Sequence, residues 1–183
     1  MPDLLGAESD PQLSAPDTDQ TQPDVPFVTE PEATPETTEA EPARQRGDLT
    51  SMVAELRGPE AGSRELDCLA TGIYFESKGE PLAGQLAVGQ VIANRAQSGG
   101  RFPSTYCGVL FQRGQFSFVR GGRLPGVTHS NKQWQTAVAI AKIVDQDLKQ
   151  SLVGNALFFH ARYVSPGWRL KRVASIGNHV FYR

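Results

Sequence analysis

Apolar residues recur at the three- and four-residue spacing of an amphipathic helix between residues 63 and 78. Ser63 suits the N-cap of this predicted helix, and Leu69 and Ile73 share its apolar face. Gly79 directly after it suits the left-handed conformation that often ends a helix. Glu76 falls at the margin of the apolar face. An ionised carboxylate beside a protein core is costly unless it is paired or keeps its proton, so Glu76 is the first candidate functional residue.

The same patterns predict the other elements of the chain. Helices are expected at 48–56, 82–97, 104–110 and 130–149, the last opened by a capping box of Ser130 and Gln133. Short strands are expected at 113–119, where polar and aromatic residues alternate, and at 156–160, 170–173 and 179–182. Helices followed by a small sheet are typical of the α+β class.

Composition divides the chain near residue 62. Residues 1–46 are rich in Pro, Thr, Glu and Asp and contain one aromatic residue, Phe27. A segment of this kind buries too little apolar surface to offset the entropy lost on ordering, which predicts disorder. We therefore expect a disordered acidic leader or linker over 1–62, apart from the short helix, and a folded body over 63–183.

Charge is divided at the same place. Residues 1–62 hold 14 acidic and 3 basic side chains, whereas residues 63–183 hold 6 acidic and 15 basic ones, so the two parts carry net charges of −11 and +9. A body this basic predicts an anionic partner such as nucleic acid, anionic lipid or a bacterial wall polymer. The basic residues are scattered and form no nucleic-acid-binding motif, which argues against nucleic acid.

Targeting signals and cysteines bear on the compartment in which the protein works. No stretch approaches the roughly 20 apolar residues of a membrane span, and the first residues lack the basic start and apolar run of a signal peptide. The two cysteines, Cys68 and Cys107, are not at the spacing of zinc ligands. They fit either one disulfide in a protein that works outside the cytoplasm or two buried thiols.

The body contains six carboxylates, and four of them have ordinary structural explanations. Two lie near lysines late on the predicted long helix, where an ion-paired, solvated face is expected. Two lie in the first turn of the helix at 63–78, where negative charge suits the helix dipole. These four are Glu65, Asp67, Asp145 and Asp147. Glu76 and Glu80 remain, and a pair of carboxylates can act as the acid and the nucleophile or base of a glycosidase.

Two other site chemistries have weaker support. Cys107 with His160 or His179 would make a nucleophilic pair, but no local pattern indicates an activated thiolate. The three histidines, with His129 as the third, are not at the close spacing of zinc ligands, so a core or surface role is favoured for each. His160 ends an apolar strand, from which its side chain can emerge into a cleft.

Blocks of sequence that follow one another over residues 65–183 resemble the SleB/CwlJ cell wall hydrolases, a spore-cortex-lytic family. The first block is Ile73-Tyr-Phe-Glu76-Ser-Lys-Gly-Glu80-Pro. The later blocks are Gly84-Gln, Val91-Ile-Ala-Asn-Arg95, Phe102-Pro, Cys107-Gly-Val, Gly114-Gln-Phe-Ser117, Ala156-Leu-Phe-Phe-His160, Val164-Ser-Pro-Gly-Trp168 and Ile176-Gly-Asn-His-Val-Phe-Tyr182. The ordered set is far more specific than any one motif, and residues 1–62 lie outside it.

The resemblance implies a lysozyme-like catalytic domain that cleaves peptidoglycan between N-acetylmuramic acid and N-acetylglucosamine. The family's catalytic Glu falls on Glu76, in a motif that reads Glu-Ser-Lys-Gly-Glu here instead of Glu-Ala-Arg-Gly-Glu. The implied activity is that of a lytic transglycosylase giving 1,6-anhydro ends, with Glu76 as acid and then base. Hydrolysis of the muramidase type and a non-catalytic peptidoglycan-binding module are the alternatives. Relatives carry a similar cysteine pair, which favours a Cys68–Cys107 disulfide.

The resemblance also assigns supporting roles. Residues expected to contact substrate or shape its cleft are Glu80, Gln115, Phe116, Ser117, His160 and Trp168. Gln115 and Ser117 would hydrogen-bond the sugars, Phe116 and Trp168 would stack on them, and Glu80 would cap a helix and support the cleft. Core packing is the alternative for Phe116 and Phe118, and one of the two should point inward. We expect no metal and no cofactor, peptidoglycan as the partner, a monomer, and a location in the cell envelope.

Overall fold

The computed structural model describes residues 47–183, in which five helices are followed by a three-stranded sheet. The helices are α1 (Leu49–Leu56), α2 (Arg64–Ser77), α3 (Leu82–Ala96), α4 (Tyr106–Phe111) and α5 (Lys132–Asp145). The strands are β1 (Phe158–Ala161), β2 (Arg172–Ile176) and β3 (His179–Tyr182). The predicted α+β class, with helices and a small antiparallel sheet, is confirmed.

Helices α2, α3 and α5 enclose the hydrophobic core. Trp134, Leu69, Ile73 and Ile92 are fully buried there, as the helical spacing of the apolar residues predicts. Gly72 lets α2 and α3 approach closely, because a Cβ at this position would lie 2.7 Å from the Cδ1 atom of Ile92. A larger side chain at this point of α2 would require the Ile92 side chain to shift.

Helix ends agree with the sequence in α2 and differ from it in α5. Ser63 caps α2 by accepting a hydrogen bond from the backbone N–H of Leu66, and Gly79 beyond its end has a φ of +87°. Helix α5 starts one residue after Asn131, whose side chain accepts from Gln133 N at 2.8 Å. The capping box predicted at Ser130 is therefore wrong, because the neighbouring asparagine takes the capping position.

The sheet is antiparallel with the order β1-β3-β2, so the last strand lies in the middle. Strand β3 has the predicted bounds, and β1 and β2 begin two residues later than predicted. The strand predicted at 113–119 is wrong. This segment instead forms two consecutive turns, closed by hydrogen bonds from Gln115 N to Gln112 O and from Val119 N to Phe116 O.

Residues 47–62 pack against the body, although the sequence pattern assigns them to the leader. Val53 of α1 is buried, and the indole Nε1 of Trp134 donates a hydrogen bond to the carbonyl of Pro59 at 2.9 Å. The boundary predicted near residue 62 therefore leaves out a helix that contacts α5. The disorder predicted for residues 1–46 falls outside the described part of the chain and stays a prediction.

Cys68 in α2 and Cys107 in α4 form a disulfide across 39 residues of sequence, with their Cα atoms 5.1 Å apart. The pairing implied by the resemblance is confirmed, and it leaves Cys107 without the free thiol that a nucleophilic pair with a histidine would need. The disulfide fixes the short helix α4 to the N-terminal half of α2, the helix that carries Glu76 near its other end. Within residues 47–183 no helix is both long and apolar enough to cross a membrane.

Candidate functional site

A cleft of about 550 Å³ lies between the helices and the sheet. The helices contribute Glu76 from α2 and Arg95 from α3. The remaining wall is formed by the loop after α4 and by the sheet with its connecting loop. These residues are Gly114, Gln115, Phe116, Phe158, Phe159, His160, Ala161, Tyr163, Trp168, Leu170 and His179. Among the described residues that line this cleft, Glu76 is the only carboxylate.

Glu76 lies in the last turn of α2, at the edge of the face that enters the core. Burial raises the pKa of its carboxyl from 4.5 to about 7, and the positive charge of Arg95 opposes this rise. Burial is the larger effect because the charged form loses hydration that nothing nearby fully replaces. At neutral pH the carboxyl is therefore divided between its acid and its base forms.

Arg95 is 5% exposed and is held rigidly beside Glu76. Its Nε donates a hydrogen bond to the carbonyl of Leu157 at 2.8 Å, and its guanidinium lies 5.1 Å from the ring centre of Phe102 and 5.8 Å from that of Phe116. Burial lowers the pKa of Arg95 to about 10, so the group still carries its charge at neutral pH. The site thus combines a protonatable acid with a fixed cation.

The opposite wall of the cleft is aromatic. His160 Nε2 lies 2.9 Å from the hydroxyl of Tyr182, and the two rings are stacked with their centres 5.2 Å apart. The Trp168 ring meets both of these rings edge-on and is 43% exposed. An exposed indole with a fixed orientation offers a flat apolar surface, which suits stacking against a sugar ring.

The structure brings four of the six predicted substrate-contacting residues to the same cleft as Glu76. These four are Gln115, Phe116, His160 and Trp168. Ser117 does not line the cleft and is exposed elsewhere, because its segment forms turns instead of the expected strand. The predicted contact of Ser117 with substrate has no support in this geometry.

Phe116 and Phe118 behave as the sequence predicts, since one of them points inward. Phe116 is 4% exposed, and its ring centre lies 5.5 Å from that of Phe118. Phe118 is half-buried and stacks on Phe75 of α2, with ring centres 5.0 Å apart. The loop after α4 is therefore fixed to the helix that carries Glu76.

Glu80 lies beneath the sheet and does not line the cleft. Its Oε2 accepts a hydrogen bond from the backbone N–H of Asn178 at 2.9 Å, and it lies so close to Gly177 that no Cβ would fit there. Its backbone carbonyl accepts from the Gln85 side chain at 3.0 Å. Glu80 therefore fixes the turn between β2 and β3. Direct contact of Glu80 with substrate has no support in this geometry. The predicted helix-capping role is wrong, because Pro81 occupies the N-cap of α3 and no side chain caps that helix. The predicted supporting role agrees with the contact to Asn178.

His179 lies between Glu80 and the cleft. Its Nδ1 is 4.0 Å from Glu80 Oε1, is buried, and has no hydrogen-bond partner among residues 47–183. Burial lowers the pKa of His179, and the Glu80 carboxylate opposes this effect without cancelling it. The imidazole is therefore neutral at neutral pH, and the contact with Glu80 is not an ion pair there.

Three residues of the site were not predicted from the sequence to line the cleft or to contact substrate. Arg95 and Tyr182 are not predicted to belong to the site, and His179 is predicted only as a weakly supported partner of Cys107. All three lie in the sequence blocks that carry the family resemblance, and this position was the signal by which they could have been assigned to the site. A basic residue late in a helix is usually solvated and interacts with the helix dipole. Arg95 is buried instead because the sheet packs against α3, where the carbonyl of Leu157, the residue before β1, accepts a hydrogen bond from Arg95 Nε.

Comparison with known proteins gives concordant matches. The sequence model of the Cell Wall Hydrolase family matches residues 79–182. The chain is 32% identical over 139 residues to the spore cortex-lytic enzyme of Oceanobacillus iheyensis, covering 74% of this chain and 48% of that protein. It is 31% identical over 122 residues to the spore cortex-lytic enzyme of Bacillus cereus, covering 64% of this chain and 43% of the relative. The chain thus spans about half the length of these curated relatives.

Two solved structures resemble this fold. The catalytic domain of the Bacillus cereus SleB protein is 31% identical with a TM-score of 0.53, over 65% of this chain and 89% of that domain. The catalytic domain of the germination-specific lytic transglycosylase SleB from Bacillus anthracis is also 31% identical with a TM-score of 0.53, over 66% of this chain and 96% of that domain. Both matches cover most of the solved domain.

Proposed function

Because the chain belongs to the cell wall hydrolase family, we propose that it cleaves peptidoglycan glycan strands between N-acetylmuramic acid and N-acetylglucosamine. The observation that carries this proposal is a carboxyl group, Glu76, in an aromatic-walled cleft where burial raises its pKa to about 7. The Bacillus anthracis relative is a lytic transglycosylase, which supports the same reaction here. Action on this polymer requires a location in the cell envelope.

In the first step, protonated Glu76 donates its proton to the glycosidic oxygen that leaves C1 of the muramic acid residue. A carboxyl with a pKa near the working pH is well matched to this role, because it is protonated often enough to donate and is acidic enough to transfer. As the bond breaks, positive charge develops on the sugar ring. The new Glu76 carboxylate would stabilise that charge.

In the second step, the 6-hydroxyl of the same muramic acid residue attacks C1 and returns its proton to Glu76. The C1–O6 bond replaces the C1–O4 bond, so the product carries a 1,6-anhydro end and the carboxyl regains its original state. This route requires one carboxyl group, in agreement with the single carboxylate among the described residues that line the cleft. A glycosidase that uses two carboxylates places both at the reacting bond.

Hydrolysis by water at the same site is the second candidate reaction. The exposed Trp168 side chain and the open side of the cleft leave room for water. The cleft therefore does not exclude solvent, and solvent exclusion gives no reason to prefer attack by the 6-hydroxyl over attack by water. The absence of a cleft carboxylate other than Glu76 among residues 47–183 favours the transglycosylase, because no second carboxylate is in place to activate a water molecule.

The pH dependence of cleavage follows from the raised pKa of Glu76. We expect kcat/KM for release of muropeptides from purified sacculi to be highest below about pH 7 and to fall by roughly 100-fold between pH 6 and pH 9, since the reactive form carries the proton. Sedimentation of the protein with sacculi at both pH values separates this loss from weaker binding. A rate that rises through pH 7 would contradict the role of Glu76 as an acid.

The same assay tests the non-catalytic alternative. A protein that sediments with sacculi but releases no soluble fragment at any pH between about 5 and 9 would be a wall-binding module. The basic body, with a net charge of +9 over residues 63–183, provides attraction to an anionic wall in either case. Binding alone therefore does not support the proposed reaction, and fragment release is the required observation.

A further inference from the structure

A second groove, of about 420 Å³, lies next to the catalytic cleft. It is lined by Phe118, Arg120, Arg123, Leu124 and Pro125. The three apolar side chains are half-buried, whereas both arginines are exposed. None of these five residues takes part in the reaction proposed above.

The groove and the cleft share no lining residue, and two contacting aromatic rings lie between them. Phe116, which lines the cleft, lies 5.5 Å from Phe118, which lines the groove. Phe118 also stacks on Phe75, the residue before Glu76. The groove is therefore one pair of contacting rings away from the cleft, within reach of a branch of a polymer bound at Glu76.

The two arginines are held together on one face of a tight hairpin. Arg120 and Arg123 form an antiparallel bridge in which each backbone N–H donates to the carbonyl of the other, at 3.2 and 3.0 Å. The turn between them is Gly121-Gly122, with φ values of +57° and +70°, which non-glycine residues rarely adopt. Residues directly opposite in such a pair point to the same side of the ribbon.

This arrangement places two like charges side by side at the edge of the groove. Like charges placed directly opposite each other in an antiparallel pair destabilise it. Neither guanidinium has a hydrogen-bond or ion-pair partner in the part of the chain that the structure describes. An anion bound between the two arginines would remove the repulsion, and a carboxylate matches the planar fork of a guanidinium particularly well.

We propose that this groove binds the carboxylate-bearing stem peptide of peptidoglycan while the glycan strand occupies the neighbouring cleft. Arg120 and Arg123 contact carboxylates of the peptide, and Phe118, Leu124 and Pro125 contact its aliphatic parts. The inference rests on the proposed function for the placement of the glycan. It makes the protein selective for strands that still carry peptides.

The test is calorimetric binding of two probes to the full chain. One probe is the N-acetylglucosaminyl-N-acetylmuramic acid disaccharide with a tetrapeptide stem, and the other is the same disaccharide without the peptide. The Arg120→Gln/Arg123→Gln variant should bind the peptide-bearing probe about 5-fold more weakly than the parent, since two exposed ion pairs each contribute modestly. Its affinity for the peptide-free probe should be unchanged.

A matched control removes the same charge elsewhere. Arg57 and Arg64 are exposed and line neither the cleft nor the groove, so Arg57→Gln/Arg64→Gln should bind both probes as the parent does. Equal losses in the two double variants, or equal losses for the two probes, would overturn the proposal in favour of general attraction to an anionic polymer. Failure of the parent to bind either probe would also overturn it.

The proposed function can fail separately from the groove. If the parent releases no fragments from sacculi but still binds the peptide-bearing probe through the two arginines, the groove assignment stands and the catalytic assignment fails. If sacculi are cleaved at the same rate with and without prior amidase removal of the stem peptides, and the arginine variant matches the parent on both, the groove assignment fails alone.

Discussion

Replacement of Glu76 by Gln lowers the rate of muropeptide release by about 1,000-fold or more, because an amide cannot donate a proton to the glycosidic oxygen. Gln keeps the size of the side chain, so the cleft should retain its shape and its affinity for sacculi. The measurement compares initial release rates and sedimentation for the two proteins. Undiminished release by the Gln variant would show that Glu76 is not the acid.

The matched control for this substitution is Glu80→Gln. It removes a carboxylate four residues away that lies under the sheet and outside the cleft, and the remaining amide oxygen can still accept the hydrogen bond from Asn178. We expect release rates within a few-fold of the parent. If the two Gln variants lose activity equally, the distinction between a reacting carboxyl and a supporting one is wrong.

Glu76→Gln should also be more stable than the parent at alkaline pH. The folded-state pKa of about 7 exceeds the unfolded value of about 4.5, so the folded protein holds a proton that the unfolded chain has lost. Stability from this group is present below about pH 4.5 and is lost as pH rises to about 7. We expect an advantage of about 2 kcal/mol for Gln above about pH 7 and none below about pH 4, from denaturant unfolding.

Glu80→Ala lowers the free energy of unfolding by about 2–3 kcal/mol. The change removes a charge-assisted hydrogen bond to the Asn178 N–H and leaves a small void against Gly177. Denaturant unfolding measures the loss. Glu55→Ala is the control, since Glu55 is exposed on α1 and its replacement should change stability by less than about 0.5 kcal/mol.

A local measurement separates this explanation from general destabilisation. Hydrogen exchange at the backbone N–H of Asn178 should be faster in Glu80→Ala than in the parent. It should be nearly unchanged in Glu80→Gln, because the glutamine side-chain oxygen still accepts the hydrogen bond from this N–H. The same exchange rate in all three proteins would contradict the assignment of Glu80 to the turn between β2 and β3. His179 follows this turn and lines the cleft, so activity should also fall in Glu80→Ala.

Local signals in the sequence were sufficient to predict the helix that carries Glu76. Ser63, the apolar spacing of Leu69 and Ile73, and Gly79 all agree with one another, and the structure has α2 at nearly the predicted residues. The central strand β3 was likewise predicted with its bounds. Elements of this kind are predictable because capping, periodicity and turn chemistry indicate the same structure.

The errors occur where tertiary contacts decide between local alternatives. The alternating aromatics at 113–119 satisfy a strand pattern, but Phe116 and Phe118 instead pack on each other, and Phe118 packs on Phe75, from two turns. Arg95 could not be recognised as a buried cation, because its partner is a carbonyl 62 residues away at Leu157. The cleft residues from the sheet depend on the same long-range packing.

The most direct test of the central claim is mass spectrometry of the fragments that the parent releases from purified sacculi. Acid and base catalysis by Glu76, with attack by the muramic acid 6-hydroxyl, predicts muropeptides that end in 1,6-anhydro-N-acetylmuramic acid and carry no added water. Glu76→Gln, treated in the same way, should give almost none of them. Fragments with reducing muramic acid ends, heavier by one water molecule, would contradict the transglycosylase mechanism.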